Sequence, residues 1–220
     1  MDAKRRIYIE PHDRTRRLAQ LGLEETDLLQ AVQVGQLQRM SCTPHHPIPY
    51  AGLSAWAETI KTLRDLYIPK GWHKQDPRGL PIVLSPDWDM AIAVATGDEA
   101  TGREDCEPCT KSPKGPQTET AISNNQLCLF AETEFAQEIK DREQQGLITW
   151  LLLIHSDSHN REVRCELSLP VGMNEEGRVD GWDERIILGS IPFDADELEI
   201  PNDETPQSPN IIVNVKRRGA

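Results

Sequence analysis

Residues 147–155, LITWLLLIH, are the most uniformly apolar stretch of the chain, and they constrain the fold more than any other segment. The run is far shorter than the ~20 residues that a membrane-spanning helix needs. It is also too uniformly apolar for an element with one face in water. The stretch therefore predicts a central β-strand that is buried on both faces of a sheet.

Residues 162–169, EVRCELSL, alternate strictly between polar and apolar side chains. This alternation predicts a half-buried strand with one apolar and one polar face. We expect Val163, Cys165, Leu167 and Leu169 to face the core, and Glu162, Arg164, Glu166 and Ser168 to face solvent. The turn-forming residues SDSHN between the two runs indicate a β-hairpin. A second hairpin is predicted around PDWD, between LPIVLSP and MAIAVAT.

Helical periodicity is clearest in the first third of the chain. LEETDLLQAVQVGQLQRM places acids in its first turn and apolar residues near one face, as an amphipathic helix does. After a proline-rich loop, a second helix carries the apolar stripe Trp56, Ile60, Leu63 and Tyr67. Further helices are predicted at 118–130 and 132–146, and further strands in ERIILGSIPF and NIIVNV.

Helices and strands do not alternate regularly along the chain. The sequence therefore predicts a single α+β domain with a mainly antiparallel sheet, built from two hairpins plus C-terminal strands and packed by N-terminal and mid-chain helices. Three segments are expected to stand apart by composition: a basic N-terminal segment at 1–20, a long polar loop at 97–118 and an acidic loop at 194–209.

The chain is acidic, with 220 residues and a net charge of −12. This charge disfavours binding to a polyanion over a broad surface, because phosphate contacts need clustered cations. The sequence begins MDAKRRIYIEPHD, without the apolar core of a signal peptide. We expect a cytoplasmic protein with no membrane association and with reduced thiols, in which paired cysteines more often bind a metal, or nothing, than form a disulfide.

The polar loop contains glycines at the spacing of a phosphate-binding loop. Gly97 and Gly102 follow a predicted strand, as such glycines do. However, Arg103 and Glu104 stand where the lysine and the serine or threonine are required. Two acids between the glycines would also repel an anion. The spacing therefore does not indicate a nucleotide site.

A cysteine pair in the same loop suggests a structural metal site. Cys106 and Cys109 have the C-x-x-C spacing with which two thiolates share one zinc ion. Cys42 and His45, in the proline-rich loop, would complete a tetrahedral site. Nothing in the sequence shows that the two loops meet. Apart from this zinc ion, the sequence indicates no cofactor.

Two other interpretations of the polar loop stand beside zinc binding. Lys111 and Lys114 lie in a proline-stiffened stretch that would suit an acidic protein partner or a phosphate backbone. Acids elsewhere in the loop offset these lysines. Loops of this length are usually functional or disordered, and a solvated connection is the interpretation we favour.

The predicted hairpin at 148–169, around SDSHN, carries the residues of a catalytic alternative: His155, Asp157, Glu162 and Glu166. Histidine and carboxylate ligands on a sheet could hold a divalent metal for a hydrolase or nuclease. The lysine that usually follows nuclease carboxylates is absent, since Leu167 and Ser168 stand there. Glu-Arg-Glu on a strand is more typical of a cross-strand charge ladder.

Basic residues near the two ends suggest a local positive pole. Lys216–Arg218 could meet the arginines of the N-terminal segment and contact nucleic acid or an acidic partner; these arginines are Arg5, Arg6, Arg14, Arg16 and Arg17. No catalytic constellation is complete. The sequence therefore favours a non-enzymatic binding or accessory protein that docks onto a protein partner, with nucleic acid as a further ligand, over the metal-dependent hydrolase.

Overall fold

The computed structural model describes residues 6–130 and 147–193, with side chains described up to residue 126 in the first range. These residues form four α-helices, eight β-strands and two short 3-10 turns. The helices are α1 (Pro11–Gln20), α2 (Glu25–Met40), α3 (Tyr50–Tyr67) and α4 (Pro116–Phe130). The strands are β1 (Arg6–Tyr8), β2 (His73–Gln75), β3 (Ile82–Leu84), β4 (Met90–Thr96), β5 (Ile148–Asp157), β6 (Glu162–Met173), β7 (Val179–Ile187) and β8 (Ile191–Pro192).

All eight strands belong to one mixed sheet. Its order is β1-β7-β6-β5-β4-β3-β2, and β8 pairs with the start of β6. The α+β class is confirmed, and both expected hairpins, β3–β4 and β5–β6, are antiparallel pairs. The antiparallel prediction holds only in part, because β4–β5 and β1–β7 run parallel. A parallel neighbour needs a long crossover, and the polar loop and α4 supply it between β4 and β5.

The basic N-terminal segment contributes two elements to the fold. Residues 6–8 form β1 and residues 11–20 form α1, both of which contact β7. The predicted helix at 132–146, the acidic loop at 194–209 and the predicted strand NIIVNV lie outside the described residues. Within the described ranges, no helix combines the length and the apolar character that crossing a membrane requires.

Helices α1, α2 and α3 cover the first face of the sheet. The alternate residues Trp150 and Leu152 of β5 and Cys165 and Leu167 of β6 are buried against them. On α3, the predicted stripe reaches the sheet through Ile60, Leu63 and Tyr67, which are all buried. This layer holds the larger of the two clusters of buried apolar residues. Since apolar burial contributes ~25 cal/mol per Å², it is the main hydrophobic core.

Helix α4 and residues 97–115 cover the second face. Leu151 and Leu153 of β5 are buried there, so the prediction of a strand buried on both faces is confirmed. Asn125, itself buried, fixes α4 to the sheet. Its amide donates hydrogen bonds to Thr149 O and Pro170 O, both at 2.9 Å, and accepts one from Thr149 N.

The prediction that the polar face of β6 lies in solvent is wrong. Arg164 is only 7% exposed, and Glu166 and Ser168 are 0% exposed. The alternation of residues 162–169 correctly separates two faces of different polarity, but the polar face lies under residues 97–115. Both faces of β6 are therefore inside the protein.

Glu166 and Arg185 form an ion pair in this polar layer. The Arg185 guanidinium donates to both carboxylate oxygens, at 3.0 and 2.7 Å, and the two side chains are 0–1% exposed. The remaining carboxylate contacts come from Gly102 N and Ser168 Oγ. The guanidinium also donates to the backbone carbonyls of Arg103 and Cys106. Both carboxylate oxygens and all three guanidinium nitrogens thus have hydrogen-bond partners, as a buried ion pair requires.

We expect Arg185→Met to lower the free energy of unfolding by about 3–5 kcal/mol, because it leaves Glu166 as an uncompensated buried charge. Urea denaturation at neutral pH measures the change. Arg16→Gln is the control, since Arg16 pairs with Asp13 at the surface and such pairs contribute at most about 1 kcal/mol. Equal effects of the two substitutions would contradict a stabilising role of the buried pair.

Candidate functional site

Residues 97–110 form a fixed covering layer. Gly97 N donates to Ile154 O at 3.0 Å, Asp98 N to Cys109 O at 2.9 Å, and Thr110 N to Val179 O at 3.0 Å. Thr101 and Thr110 are fully buried. The expectation of a solvated connection is therefore wrong for this part of the loop, because its polar backbone groups pair with each other and with the sheet.

The two glycines of this loop allow close approach of the backbone. A Cβ atom at Gly97 would lie 2.0 Å from Thr101 Oγ1, and one at Gly102 would lie 2.9 Å from Arg164 Cβ. Gly102 also has a φ of +74°, which glycine adopts without strain. Its N–H donates to Glu166 Oε2 at 2.9 Å. The anion held by this loop is the protein's own carboxylate.

The structure does not bring the four predicted zinc ligands together. Cys106 and Cys109 lie in the layer on the second face, where their carbonyls accept hydrogen bonds. Cys42 lies just after the end of α2, with its Sγ 3.5 Å from Ser54 Oγ of α3, and His45 is exposed. Among the described residues, no three His, Cys, Asp or Glu side chains are arranged to hold a metal ion. The zinc site stays a prediction.

The acids of the catalytic alternative are each paired with an arginine. Asp157 and Glu162 accept hydrogen bonds from Arg164 Nη1 at 2.9 and 3.1 Å. Glu166 binds Arg185. These contacts match the alternative interpretation of a charge ladder and leave the carboxylates directed at cations of the chain itself.

His155 is a partly buried member of the same hairpin. Its Nδ1 lies 3.4 Å from Gly97 O. Burial lowers the pKa of His155 below its usual 6.5, whereas the nearby Gly97 carbonyl opposes the shift. The pKa of Asp157 is also lowered, first by the backbone N–H of Asn160 and then by Arg164. At neutral pH, the hairpin therefore presents a neutral imidazole beside an ionised carboxylate.

Most of the predicted partner-binding cations contribute to internal contacts. Arg17 forms an ion pair with the buried Glu184, and Arg14 donates to Glu25 at 2.8 Å and to Ile187 O at 3.2 Å. Arg16 is exposed and pairs with Asp13. Lys216–Arg218 lie outside the described residues.

The two lysines of the polar loop use their backbone N–H groups to fix the loop. Lys111 N donates to Thr96 O at 2.9 Å and Lys114 N to Gly177 O at 2.8 Å. Lys114 is half-buried, and burial lowers the pKa of its ammonium group.

A cleft of about 60 Å³ lies between α2, α3 and the carboxyl ends of β4 and β5. We call it the α2–α3 cleft and define it by Gln36, Arg39, Trp56, Thr96 and Ser156. Gln36 is only 6% exposed, yet its Nε2 has no hydrogen-bond partner among the described residues. The buried Ser156 Oγ likewise has no hydrogen-bond partner among the described residues. Native proteins satisfy most buried polar atoms, so two unsatisfied ones in one cleft require an explanation.

The sequence interpretation missed this cleft. Gln36 and Ser156 are far apart along the chain, and no motif connects them. One signal was available, because Gln36 lies four residues after the buried Val32 and is thus a polar residue on the apolar face of α2. Ser156 continues the β5 alternation of Leu152 and Ile154 on the first face.

An exposed apolar surface adjoins the α2–α3 cleft. Leu53 lies three residues before Trp56 and so extends the apolar stripe of α3, but it is 58% exposed. Tyr50 and Ile48, at the start of α3, are also exposed. We call Ile48, Tyr50 and Leu53 the α3 docking face.

A larger groove of about 390 Å³ lies on the second face, between α4 and the β2–β3 edge. Trp88 forms part of its wall and stacks on His73 at 4.6 Å. Among the described residues that line it, none is charged and none holds an unsatisfied buried polar atom. This groove therefore gives less indication of its ligand than the α2–α3 cleft does.

Comparison with protein-family models, curated proteins and solved structures finds no match for this chain. Function is therefore inferred from the geometry of this chain alone.

We expect His155→Gln to remove part of the pH dependence of stability. Because the folded-state pKa of His155 is depressed, the unfolded chain takes up the proton first, and the wild type should lose stability as pH falls below about 6.5. The free energy of unfolding of the wild type, minus that of the variant, should decrease from about pH 7 to about pH 5. Urea titrations of both proteins measure it. A difference that is constant or increases on acidification would contradict a depressed pKa.

Proposed function

We propose that this protein is a non-enzymatic binding protein that docks onto a protein partner through the α3 docking face. The observation that carries the proposal is the continuation of the α3 core stripe beyond the sheet. Ile60 and Leu63 are buried, Trp56 is half-buried, and Leu53 is mostly exposed. The same apolar face thus begins in the core and ends at the surface.

The physical reason is the favourable burial of the exposed part of the stripe. Transfer of a leucine or isoleucine side chain from water to an apolar contact contributes about 1.5–3 kcal/mol. Tyrosine, as at position 50, is a frequent anchor of protein interfaces. A partner that presents apolar side chains of its own would extend the core outward over Ile48, Tyr50 and Leu53.

The docking face is held in one conformation before a partner arrives. Tyr50 stacks on His46, with ring centroids 4.7 Å apart and the rings nearly parallel. The backbone N–H of Thr43 donates to His46 Nδ1 at 3.0 Å. Three prolines restrict the backbone of the same loop. Such preorganisation lowers the entropy cost of association.

The other functions considered have less support. The carboxylates of the hydrolase alternative all bind arginines. Among the basic residues proposed to contact nucleic acid, Arg14 and Arg17 are engaged by acids of the fold. Protein docking therefore remains the proposal, and zinc binding and nucleic-acid binding are not needed for it.

Leu53→Ser should reduce partner binding, and Leu37→Ser is its matched control. Both leucines are helical and 58% exposed. Leu37 lies nine residues after the buried Leu28, and so on the opposite side of α2. Affinity purification with quantitative mass spectrometry should show a stoichiometric partner on the wild type and on Leu37→Ser, reduced about tenfold or more on Leu53→Ser.

The proposal requires this difference between the two leucines. Equal retention by the two variants, or equal loss, would show that the α3 docking face is not the contact surface. The free energy of unfolding of both variants should be measured as well. A loss of binding by Leu53→Ser is attributed to the docking face only if this variant is as stable as the wild type.

A further inference from the structure

We propose that the α2–α3 cleft binds the carboxylate of an aspartate or glutamate side chain that the docked partner presents. The inference rests on the proposed docking function for the source of the carboxylate. The chemistry of the cleft stands on observations of its own, which are its hydrogen-bond donors, its charge and its size.

Two unsatisfied groups of the cleft can donate hydrogen bonds. Gln36 Nε2 carries two N–H donors, and Ser156 Oγ carries one O–H. Both atoms are buried and have no partner among residues 6–130 and 147–193. An acceptor placed in the cleft would satisfy them, and an ionised carboxylate is the side-chain group with the greatest capacity to accept.

The charge of the cleft also favours an anion. Among the described residues, Arg39 is the single charged residue that lines the cleft, and none of the described acids lines it. The chain as a whole has a net charge of −12, so this lining differs in sign from most of the protein. A guanidinium and a carboxylate form strong, geometrically specific hydrogen bonds.

The size of the cleft restricts the ligand to one small group. Its volume of about 60 Å³ is far below the ~300–1,000 Å³ of sites for drug-sized ligands. Trp56 donates its indole N–H to Val94 O at 3.1 Å and is thereby fixed as an apolar wall. The methylene groups of an acidic side chain would contact this wall, and Leu53 of the docking face lies one helical turn away.

Titration with acetate tests the chemistry of the cleft without a partner. The probe is sodium acetate at neutral pH and constant ionic strength, and the reporter is the NMR signal of the Trp56 indole N–H, assigned with Trp56→Phe. We expect a saturable shift with a dissociation constant in the millimolar range. Acetamide, which has the same shape without the charge, should bind at least about tenfold more weakly.

Arg39→Gln should weaken acetate binding about tenfold or more, because it removes a guanidinium that lines the cleft. Arg16→Gln removes the same charge from an exposed site on α1 and should bind acetate as the wild type does. Absence of a saturable shift, or equal binding of acetate and acetamide, would overturn the proposal. Equal affinity of the two arginine variants would overturn it as well.

Affinity purification then tests the source of the carboxylate. Arg39→Gln should lose the partner that the wild type retains, whereas Leu53→Ser should lose the partner and still bind acetate. If Leu53→Ser loses the partner but Arg39→Gln retains it, the docking function is supported and the assignment of the carboxylate to the partner is overturned. Retention by Leu53→Ser would refute the docking function, and the acetate titration would still decide whether the cleft accepts a carboxylate.

Discussion

The buried ion pair between Glu166 and Arg185 determines how the second face of the sheet can be covered. Two charges on a covered sheet face cannot lie under an apolar helix without losing their remaining hydrogen bonds. Residues 97–110 solve this problem with backbone groups, since Gly102 N binds the carboxylate and two loop carbonyls bind the guanidinium. A loop with few apolar residues can therefore serve as a covering layer, and its polarity is a condition of its packing.

This arrangement explains why several residues of the loop and hairpin resemble parts of functional sites. Gly97 and Gly102 permit close contact with Thr101 and Arg164, and the cysteine pair contributes carbonyl groups. Arg164 joins the loop to the hairpin by donating to Thr101 O at 3.0 Å and to the Asp157 carboxylate. Residue types suited to phosphate, metal or acid–base chemistry are here the ones suited to a polar interior layer.

Hydrophobic periodicity predicted the elements that bury apolar side chains, including β5, β6, α2 and α3. It failed where the decisive contact was between residues distant in sequence. The alternation of β6 shows that its two faces differ in polarity. It does not show whether Glu166 is exposed to solvent, because Glu166 is covered by a loop more than 60 residues earlier, whose Gly102 N–H contacts its carboxylate. Arg17 resembled part of a basic patch for the same reason, because its partner Glu184 lies near the other end of the described chain.

The two polar regions of the sheet differ in a way that supports the carboxylate site. On the second face, Glu166 and Arg185 have protein partners for their hydrogen bonds. At the end of β5 on the first face, the buried atoms Gln36 Nε2 and Ser156 Oγ lack partners among the described residues. Where residues 97–110 cover the second face, the chain itself supplies acceptors for the Arg185 donors. In the α2–α3 cleft, the described residues supply no acceptor for Gln36 Nε2 and Ser156 Oγ. An unsatisfied buried donor costs free energy, and the carboxylate that we propose for the α2–α3 cleft would supply the missing acceptor.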